Sequence, residues 1–272
     1  MFRLLASENG FVHVCGHRGN SIAAPENTLA ALTATRDNGG TSAEIDCMLT
    51  ADGEIVLMHD DFLDRTTDGT GLVSQTKLKE IRGLDAGSSF DSRFTGERVP
   101  TLAETFDHAR DIGIGLVVEI KDFQQTDRLV ERLGEILGES DAAEQAVFIS
   151  FDHVFLKSLK AKLPRIRTEG ITHARHADIV GVARTANLDS LSIEQAMFHP
   201  EEGEALHQAG VSVRFHLQRP EEYARYAGLG LDLLADVREW IGAGLIDTIS
   251  GDDVAFLAGL VEQSTSLKRK SA

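Results

Sequence analysis

The sequence predicts an α/β fold, a (β/α)8 TIM barrel with a small subdomain inserted after the second strand. The first observation is that short β-branched runs alternate with helical patterns along all 272 residues, which indicates a parallel sheet covered by helices. The second is the number of such units, about eight, which is typical of a closed barrel. The third is a turn-rich segment from 60 to 100, which is too long for an ordinary connection.

The predicted elements follow one another in a regular order. FVHVCG is a strand, and PENTLAALTATRDNG is a helix with a proline near its start and a glycine at its end. SAEIDC and EIVLMH are strands, and after the long segment come the helix TLAETFDHARDIG and the strand IGLVVEIK. The alternation continues with a helix near DRLVERLGEIL, the strand AVFIS, the helix DHVFLKSLKAKL, and the strands RTEGI, LDSLSIE, VSVRFHL and LIDTIS, which helical segments separate.

A chain of this length can bury one large core. We therefore predict a single domain over residues 1–265, with 60–100 as an inserted subdomain over the mouth of the barrel. The last residues, 266–272, read SLKRKSA and are expected to fray.

The net charge of −16 repels other polyanions, so neither nucleic acid nor an anionic membrane is expected as a partner. A substrate that carries phosphate would then need local positive charge or a metal ion. No apolar run is long enough to span a bilayer, and the first residues lack the pattern of a signal peptide. We expect a cytoplasmic protein that acts on a small molecule, and a homo-oligomer is compatible with the sequence.

The two cysteines support a reducing compartment. Cys15 has the strand parity of His17, whereas Cys47 has the parity opposite to that of Glu44 and Asp46. Side chains alternate along a strand, so the two sulfurs should point to opposite faces and form no disulfide.

Charged side chains gather at the carboxyl ends of the predicted strands. Glu44 and Asp46 share one face of a strand, and Glu119 and Lys121 share one face of another. His17 follows the first strand and His59 follows EIVLM. In a barrel these strand ends converge on the face where active sites are built.

Three carboxylates that meet in space repel one another unless a cation lies between them. An oxygen-only set suits Mg²⁺ or Ca²⁺ better than zinc, which prefers nitrogen and sulfur ligands. Each residue has an ordinary alternative, because a strand-end carboxylate can be solvated or salt-bridged and Lys121 can simply pair with Glu119. Their shared position at strand ends favours one divalent cation, held by Glu44, Asp46 and Glu119.

Several motifs in order resemble the glycerophosphodiester phosphodiesterase family. They are HRGN at 17–20, APENTLAA at 24–31, EIDCMLTADGEIVLMHDD at 44–61, VPTLAETF at 99–106, EIK at 119–121 and SF at 150–151, with TTDGTG between the third and the fourth. The resemblance implies a (β/α)8 barrel with an insertion after the second strand, and hydrolysis of a glycerophosphodiester to glycerol 3-phosphate and an alcohol. It also implies His17 and His59 as an acid–base pair, Glu44, Asp46 and Glu119 as metal ligands, and Arg18 and Lys121 as the groups that hold the phosphate oxygens.

The sequence departs from the family pattern in two places. VRFHLQR at 213–219 stands where the family has a W-T-V-N-like run, and a long segment precedes the last strand. Both changes fall near the organic groups of a substrate, so an alternative is a sugar phosphodiester, of the opine type for example. The candidate contacts to those groups are Glu194, Arg214, Phe215 and His216.

Each of these four residues has an alternative role. Phe215 can be a core residue rather than a stacking platform, and Glu194 can form a salt bridge rather than contact a substrate hydroxyl. Arg214 and His216 are expected to have opposite parity, so that only one of them faces the barrel interior.

Two further functions are considered. A phospholipase similar to sphingomyelinase D would use the same barrel, but that group lacks the long insertion. A non-catalytic protein that only binds phosphodiesters would not need both histidines and all three carboxylates.

Overall fold

The computed structural model describes residues 2–121, 125–138 and 141–271, and these residues form one nine-stranded sheet surrounded by helices. The strands are β1 His13–Gly16, β2 Ser42–Leu49, β3 Ile55–Leu57, β4 Gly115–Ile120, β5 Ala146–Ser150, β6 Arg167–Thr172, β7 Ser190–Ile193, β8 Ser212–His216 and β9 Thr248–Gly251. The helices are α1 Ala6–Asn9, α2 Leu29–Asp37, α3 Leu78–Ile81, α4 Leu102–Ile112, α5 Thr126–Gly138, α6 His153–Lys162, α7 Ile179–Ala186, α8 Pro200–Gln208, α9 Pro220–Ala227, α10 Ala235–Ala243 and α11 Val254–Ser271. Short 3₁₀ turns cover Val73–Gln75, Ser92–Phe94, Asp141–Glu144 and Gln195–Met197.

The sheet closes on itself through its first strand. β1 pairs in parallel with β9 on one side and with β2 on the other. The remaining strands follow in the order β9, β8, β7, β6, β5, β4 and β2, all parallel. The eight parallel strands confirm the predicted (β/α)8 barrel.

The predicted strand EIVLMH is not part of the barrel wall. It forms β3, which pairs antiparallel with the end of β2. The connection between the two strands turns at Gly53, which has a φ of +91°. So short a connection cannot carry a parallel crossover, and the chain returns as a hairpin. This explains why nine predicted strands produce an eight-stranded barrel.

Segment 60–100 follows β3 and packs on its own apolar cluster. The cluster is separate from the main core and contains Met48, Val56, Met58, Leu63, Val73, Ile81, Ala86 and Val99. The bounds of the subdomain, 60–100, and those of the domain, 1–265, remain predictions. Helix α11 includes most of the segment 266–272 that was expected to fray, and residue 272 lies outside the described residues.

The main core lies between the strands and the helices, and a smaller cluster fills the barrel interior. Cys15 belongs to the interior cluster with Val117, Val147 and Ile149, whereas Cys47 faces the outer core. Both cysteines are buried and unpaired, and their membership of different clusters confirms that their side chains point to opposite faces. In the part of the chain that the structure describes, we find no helix with the length and apolarity needed to cross a bilayer.

Phe215 is a core residue. Its side chain is 0 % exposed, and its ring makes edge contacts with Phe198 and Trp240 at centroid distances of 4.9 and 5.8 Å. The three rings lie between β8 and the helices that cover it. Phe215 therefore points away from the barrel interior, and the core interpretation of this residue is the one the structure supports.

We predict that Phe215→Ala lowers the free energy of unfolding by about 3–5 kcal/mol, because the change removes a large buried ring and leaves a cavity. Urea denaturation measures this. Phe11→Ala is the matched control, since Phe11 is 47 % exposed at the other end of the barrel, and its cost should stay below about 1 kcal/mol. Equal effects of the two substitutions would contradict the core assignment.

Candidate active site

The carboxyl ends of the barrel strands surround one open cavity of about 230 Å³. Most of the residues predicted for a site line it: His17, Glu44, His59, Glu119, Lys121, Glu194, Arg214 and His216. Arg18 and Asp46 lie against this group through contacts with Glu44 and Lys121. Phe215, on the opposite face of its strand, takes no part.

Glu44, Asp46 and Glu119 form a compact carboxylate cluster. One oxygen atom from each can be chosen so that all three lie within 4.8 Å of one another. Asp46 on β2 and Glu119 on β4 are direct partners in the parallel register, and Glu44 is two residues before Asp46 on the same face. Glu44 and Asp46 are buried, at 2 % and 1 % exposed.

The loop after β1 holds one oxygen of each buried carboxylate, through a backbone amide for Glu44 and a side-chain amide for Asp46. The amide of Arg18 donates to Glu44 Oε2 at 2.9 Å, and Asn27 Nδ2 donates to Asp46 Oδ2 at 2.8 Å. Arg18 and Asn27 both have a φ of +56°, a left-handed conformation that lets the loop after β1 turn back over the strand ends. Asn27 was not predicted as a site residue, although it lies within the APENTLAA motif.

The other oxygen of each buried carboxylate, Glu44 Oε1 and Asp46 Oδ1, has no hydrogen-bond partner among the described residues. Burial, with the charges of Asp46 and Glu119, raises the pKa of Glu44 to about 8. Buried carboxylate oxygens without partners are costly unless a cation is present. The set consists of oxygen donors alone, so its chemistry fits a hard divalent cation such as Mg²⁺ or Ca²⁺.

Two cationic side chains flank the cluster. Lys121 Nζ lies 3.4 Å from Glu119 Oε1 and 3.7 Å from Asp46 Oδ1. Arg18 Nε lies 3.6 Å from Asp46 Oδ2. The site therefore combines an anionic centre with two positive groups, and this pattern can hold a phosphate whose oxygens meet both cations.

His17 is oriented by a carboxylate from the other end of the sequence. Its Nδ1 lies 2.8 Å from Asp252 Oδ1, and Arg219 Nε donates to the second oxygen of Asp252 at 2.8 Å. Burial lowers the pKa of His17, but the Asp252 hydrogen bond and the charge of Glu44 outweigh burial and leave that pKa above its usual value. Its Nε2 lies 3.9 Å from Glu44 Oε2 and is the nitrogen available to a ligand in the cavity.

His59 is held in a similar way by its neighbour in sequence. Its Nδ1 lies 2.6 Å from Asp60 Oδ1. Arg65 binds Asp60 and also Glu26 through short ion pairs of 2.6 to 3.0 Å, and Glu26 accepts from Arg18. A chain of ion pairs thus connects His59 to the loop after β1, and hydrogen bonds from Arg65 hold the pKa of Asp60 well below its usual range.

Arg214 and His216 both line the cavity, so the prediction that only one faces the interior is wrong. The two residues are two positions apart on β8, and residues at i and i+2 share a face. Arg214 lies deep in the barrel, 5 % exposed, with its Nε 2.7 Å from Glu169 Oε1. His216 packs edge-on against His17 at 4.7 Å, and burial, with the charges of His17 and Arg214, lowers its pKa to about 3.

The remaining side of the cavity combines apolar side chains with polar ones such as Thr172 and Ser192. Ile149, Ile171 and Ile193 line it at the ends of β5, β6 and β7. Phe151 stacks on His173 at 5.1 Å, and His173 contacts Glu194. The salt-bridge alternative for Glu194 is therefore present in the structure, and Phe151 and His173 are cavity residues that were not predicted as such.

Comparison with known proteins agrees with this geometry. Residues 17–234 match the model of the glycerophosphoryl diester phosphodiesterase family. A glycerophosphodiester phosphodiesterase from Caldanaerobacter subterraneus is 38 % identical over 155 residues, which are 57 % of this chain and 64 % of that protein. The match thus spans just under two thirds of that relative.

Two solved structures share the whole fold. A phosphodiesterase from Oleispira antarctica in complex with the product sn-glycerol 3-phosphate is 29 % identical with a TM-score of 0.79, over 94 % of this chain and 99 % of that one. A glycerophosphodiester phosphodiesterase from Agrobacterium tumefaciens is 28 % identical with a TM-score of 0.71, over 91 % and 99 % of the two chains.

We predict that the carboxylate cluster binds one divalent cation. Titration calorimetry of Mg²⁺ and Ca²⁺ into metal-stripped protein should show one site, and the double change Glu44→Ala and Asp46→Ala should abolish it. Glu194→Gln is the matched control, because Glu194 lines the same cavity outside the cluster. Unchanged affinity in the double variant would contradict the assignment.

We predict that Asp252→Asn lowers the pKa of His17, because the carboxylate that stabilises the imidazolium is lost. An NMR titration of the imidazole resonances measures the shift. Asp253→Asn is the control, since Asp253 caps α11 rather than contacting His17. A pKa that is the same in Asp252→Asn and in the wild type would contradict the orienting role of Asp252.

Proposed function

This chain belongs to the glycerophosphoryl diester phosphodiesterase family, and we propose that it hydrolyses a glycerophosphodiester to glycerol 3-phosphate and an alcohol. The observation that carries the proposal is the meeting of three carboxylates, two carboxylate-bound histidines and two cationic side chains in and directly beside one cavity. The net charge of −16 makes a concentrated cationic site necessary for an anionic substrate. We place the reaction in a reducing cytoplasm, which the two buried, unpaired cysteines support.

Arg18 and Lys121 hold the phosphoryl group in this proposal. Both side chains already lie within 4 Å of carboxylates of the cluster, so a phosphate beside the cluster is within their reach. A divalent cation held by Glu44, Asp46 and Glu119 would add positive charge where negative charge grows on the phosphoryl oxygens. Either Mg²⁺ or Ca²⁺ fits the donor set.

His17 and His59 move the protons. The Nδ1 of each ring is bound to a carboxylate, Asp252 or Asp60, which leaves the Nε2 of each ring for the substrate. One imidazole accepts the proton of the attacking oxygen, and the other donates a proton to the departing alkoxide. The orienting carboxylates hold each ring in the tautomer that this exchange needs.

A second candidate substrate is a sugar phosphodiester, of the opine type for example, hydrolysed by the same groups. The observation that favours it is that Arg214, His216 and Glu194 all line the cavity. A site built to contact hydroxyl groups would reject a smaller diester, because its polar groups would be left unpaired. Comparison of kcat/KM for glycerophosphocholine and for sugar phosphodiesters separates the two substrates.

The activity itself is tested with a chromogenic phosphodiester, with and without EDTA. Turnover that EDTA abolishes and Mg²⁺ or Ca²⁺ restores is the expected result. Binding of a phosphodiester without turnover under any metal condition would show a binding protein instead.

We predict that His17→Ala and His59→Ala each lower kcat by about 100-fold or more, the usual cost of losing a general acid or base. Calorimetry should show that both variants still bind the metal. The matched control is His108→Ala, because His108 contacts Thr33 on the outside of the barrel, and its kcat should equal that of the wild type. A kcat near the wild-type value in either site variant would contradict the acid–base assignment.

A further inference from the structure

A second cavity lies at the opposite end of the barrel from the candidate active site. It has a volume of about 610 Å³, which is within the range of sites that bind small molecules. It opens at the starts of β1, β2 and β4, between residues 2–11, 36–41 and 109–115. We call this space the lower cavity. Nothing in the proposed function uses it.

The lower cavity is cationic, although the protein is strongly acidic. Arg3, Arg36 and Arg110 line it, and none of the lining residues that the structure describes is an aspartate or a glutamate. The whole chain has 43 acidic and 27 basic residues, so composition alone would place carboxylates in a cavity of this size. The three arginines come from the segment before β1, from α2 and from α4, so no single helix accounts for their meeting.

Two of these arginines also have an ordinary role. Arg36 and Arg110 lie in the last turns of α2 and α4, where a positive side chain stabilises the helix dipole. Arg36 Nη1 lies 3.8 Å from Asp37 Oδ1, and Arg110 Nη2 lies 2.5 Å from Asp107 Oδ1. Both pairs are well exposed, and exposed ion pairs contribute little energy. A phosphate can therefore replace either carboxylate at little cost.

The segment 2–11 is fastened to the barrel, so the lower cavity has fixed walls. The amide of Phe2 donates to the carbonyl of Glu144 at 2.8 Å, and the amide of Ala6 donates to Asp247 Oδ1 at 2.8 Å. The ring of Phe2 packs directly on the start of β4, where a Cβ added to Gly115 would lie 2.4 Å from a ring atom. The cavity is thus formed by the folded chain before any ligand binds.

Aromatic rings line one wall. The ring of His13 lies between those of Phe2 and Phe11, at centroid distances of 4.6 and 5.0 Å. His13 is 3 % exposed, and both of its ring nitrogens are hydrogen-bonded, Nδ1 to Thr41 Oγ1 and Nε2 to the carbonyl of Arg3. It therefore belongs to the wall and has no nitrogen left for a ligand. Phe11 is 47 % exposed, and its open ring surface can stack on a planar group.

The ends of α2 and α4 add hydrogen-bond acceptors. The last carbonyls of a helix have no partner inside it, and Gly39 and Gly113, which follow these two helices, line the cavity. Such carbonyls repel a bare anion but accept from hydroxyl and amino groups. The lower cavity therefore suits a ligand that combines a phosphate for the arginines, hydrogen-bond donors for the carbonyls and a planar ring for Phe11.

We propose that the lower cavity binds a nucleoside monophosphate, with its phosphate at Arg36 and Arg110 and its base on the ring of Phe11. The guanidinium fork matches two phosphate oxygens at once. The cavity has no carboxylate among its described lining residues and no histidine nitrogen for proton transfer, so it is a binding site rather than a second catalytic centre. The inference is independent of the proposed function, because the two cavities lie at opposite ends of the barrel.

The test is titration calorimetry of AMP into the metal-stripped full chain, where one molecule should bind per chain. Adenosine and inorganic phosphate should each bind more weakly by about tenfold or more, because each lacks one of the two main contacts. Arg110→Ala and Phe11→Ala should each raise the Kd of AMP about tenfold, through loss of a charge-assisted hydrogen bond or of a stacked ring. Arg184→Ala is the matched control, because Arg184 is exposed on α7, and its Kd should equal that of the wild type.

A further variant should change the affinity in the opposite direction. Asp107→Asn releases Arg110 from its carboxylate and should lower the Kd of AMP by about two- to fivefold, the scale of an exposed ion pair. If Arg110 and Asp107 only stabilised α4, this substitution would not tighten nucleotide binding. A Kd that is unchanged or raised in Asp107→Asn would contradict the placement of the phosphate at Arg110.

The candidate active site can also hold a phosphate, and Lys121→Ala separates the two sites. An AMP affinity that is unchanged in Lys121→Ala and lowered in Arg110→Ala would support binding in the lower cavity. The reverse pattern would place AMP at the candidate active site and would overturn the inference, while the proposed function would stand. No binding of AMP, or binding of inorganic phosphate as tight as that of AMP, would overturn the inference as well.

Discussion

The arrangement of the site depends on one constraint, which is the mutual repulsion of three carboxylates at one end of the barrel. Asp46 and Glu119 face each other because β2 and β4 pair in that register, and Glu44 joins them because strand side chains repeat every second residue. The backbone cannot relieve this repulsion without breaking the sheet. The loop after β1 holds one oxygen each of Glu44 and Asp46, and the unpartnered oxygens are left for a cation.

The cavity divides its tasks between two halves of the barrel. The strands and loops from β1 to β4 carry the carboxylates, both histidines, Arg18 and Lys121, which are the groups that act on the phosphodiester in the proposed function. The ends of β5 to β7 carry Ile149, Ile171, Thr172, Ser192 and Ile193, and none of these side chains is ionisable. Ion pairs such as Asp60–Arg65–Glu26 connect the loops of the first half, and Glu26 extends them to Arg18.

The features that the sequence predicts correctly are those that depend on the alternation of side chains along strands. The barrel, the positions of Glu44, Asp46, Glu119 and Lys121, and the opposite faces of Cys15 and Cys47 all follow from alternation along strands and the convergence of strand ends. The antiparallel return of β3 was missed because a strand pattern does not state its direction. Arg214 and His216 were predicted to lie on opposite faces, although strand side chains repeat every second residue and both therefore face the cavity. The contact of Asp252 with His17, across 235 positions, depends on closure of the sheet between β1 and β9, and no local pattern contains it.

Sulfur substitution at the phosphate tests most directly whether a cation held by the carboxylate cluster meets the scissile group. A phosphorothioate analogue of glycerophosphocholine should be hydrolysed much more slowly than the oxygen diester with Mg²⁺ or Ca²⁺, because hard cations bind sulfur poorly. A softer cation such as Cd²⁺ should restore a large part of the lost rate. Equal slowing of the sulfur diester with hard and soft cations, or no slowing at all, would contradict a cation held by Glu44, Asp46 and Glu119 in contact with the phosphate.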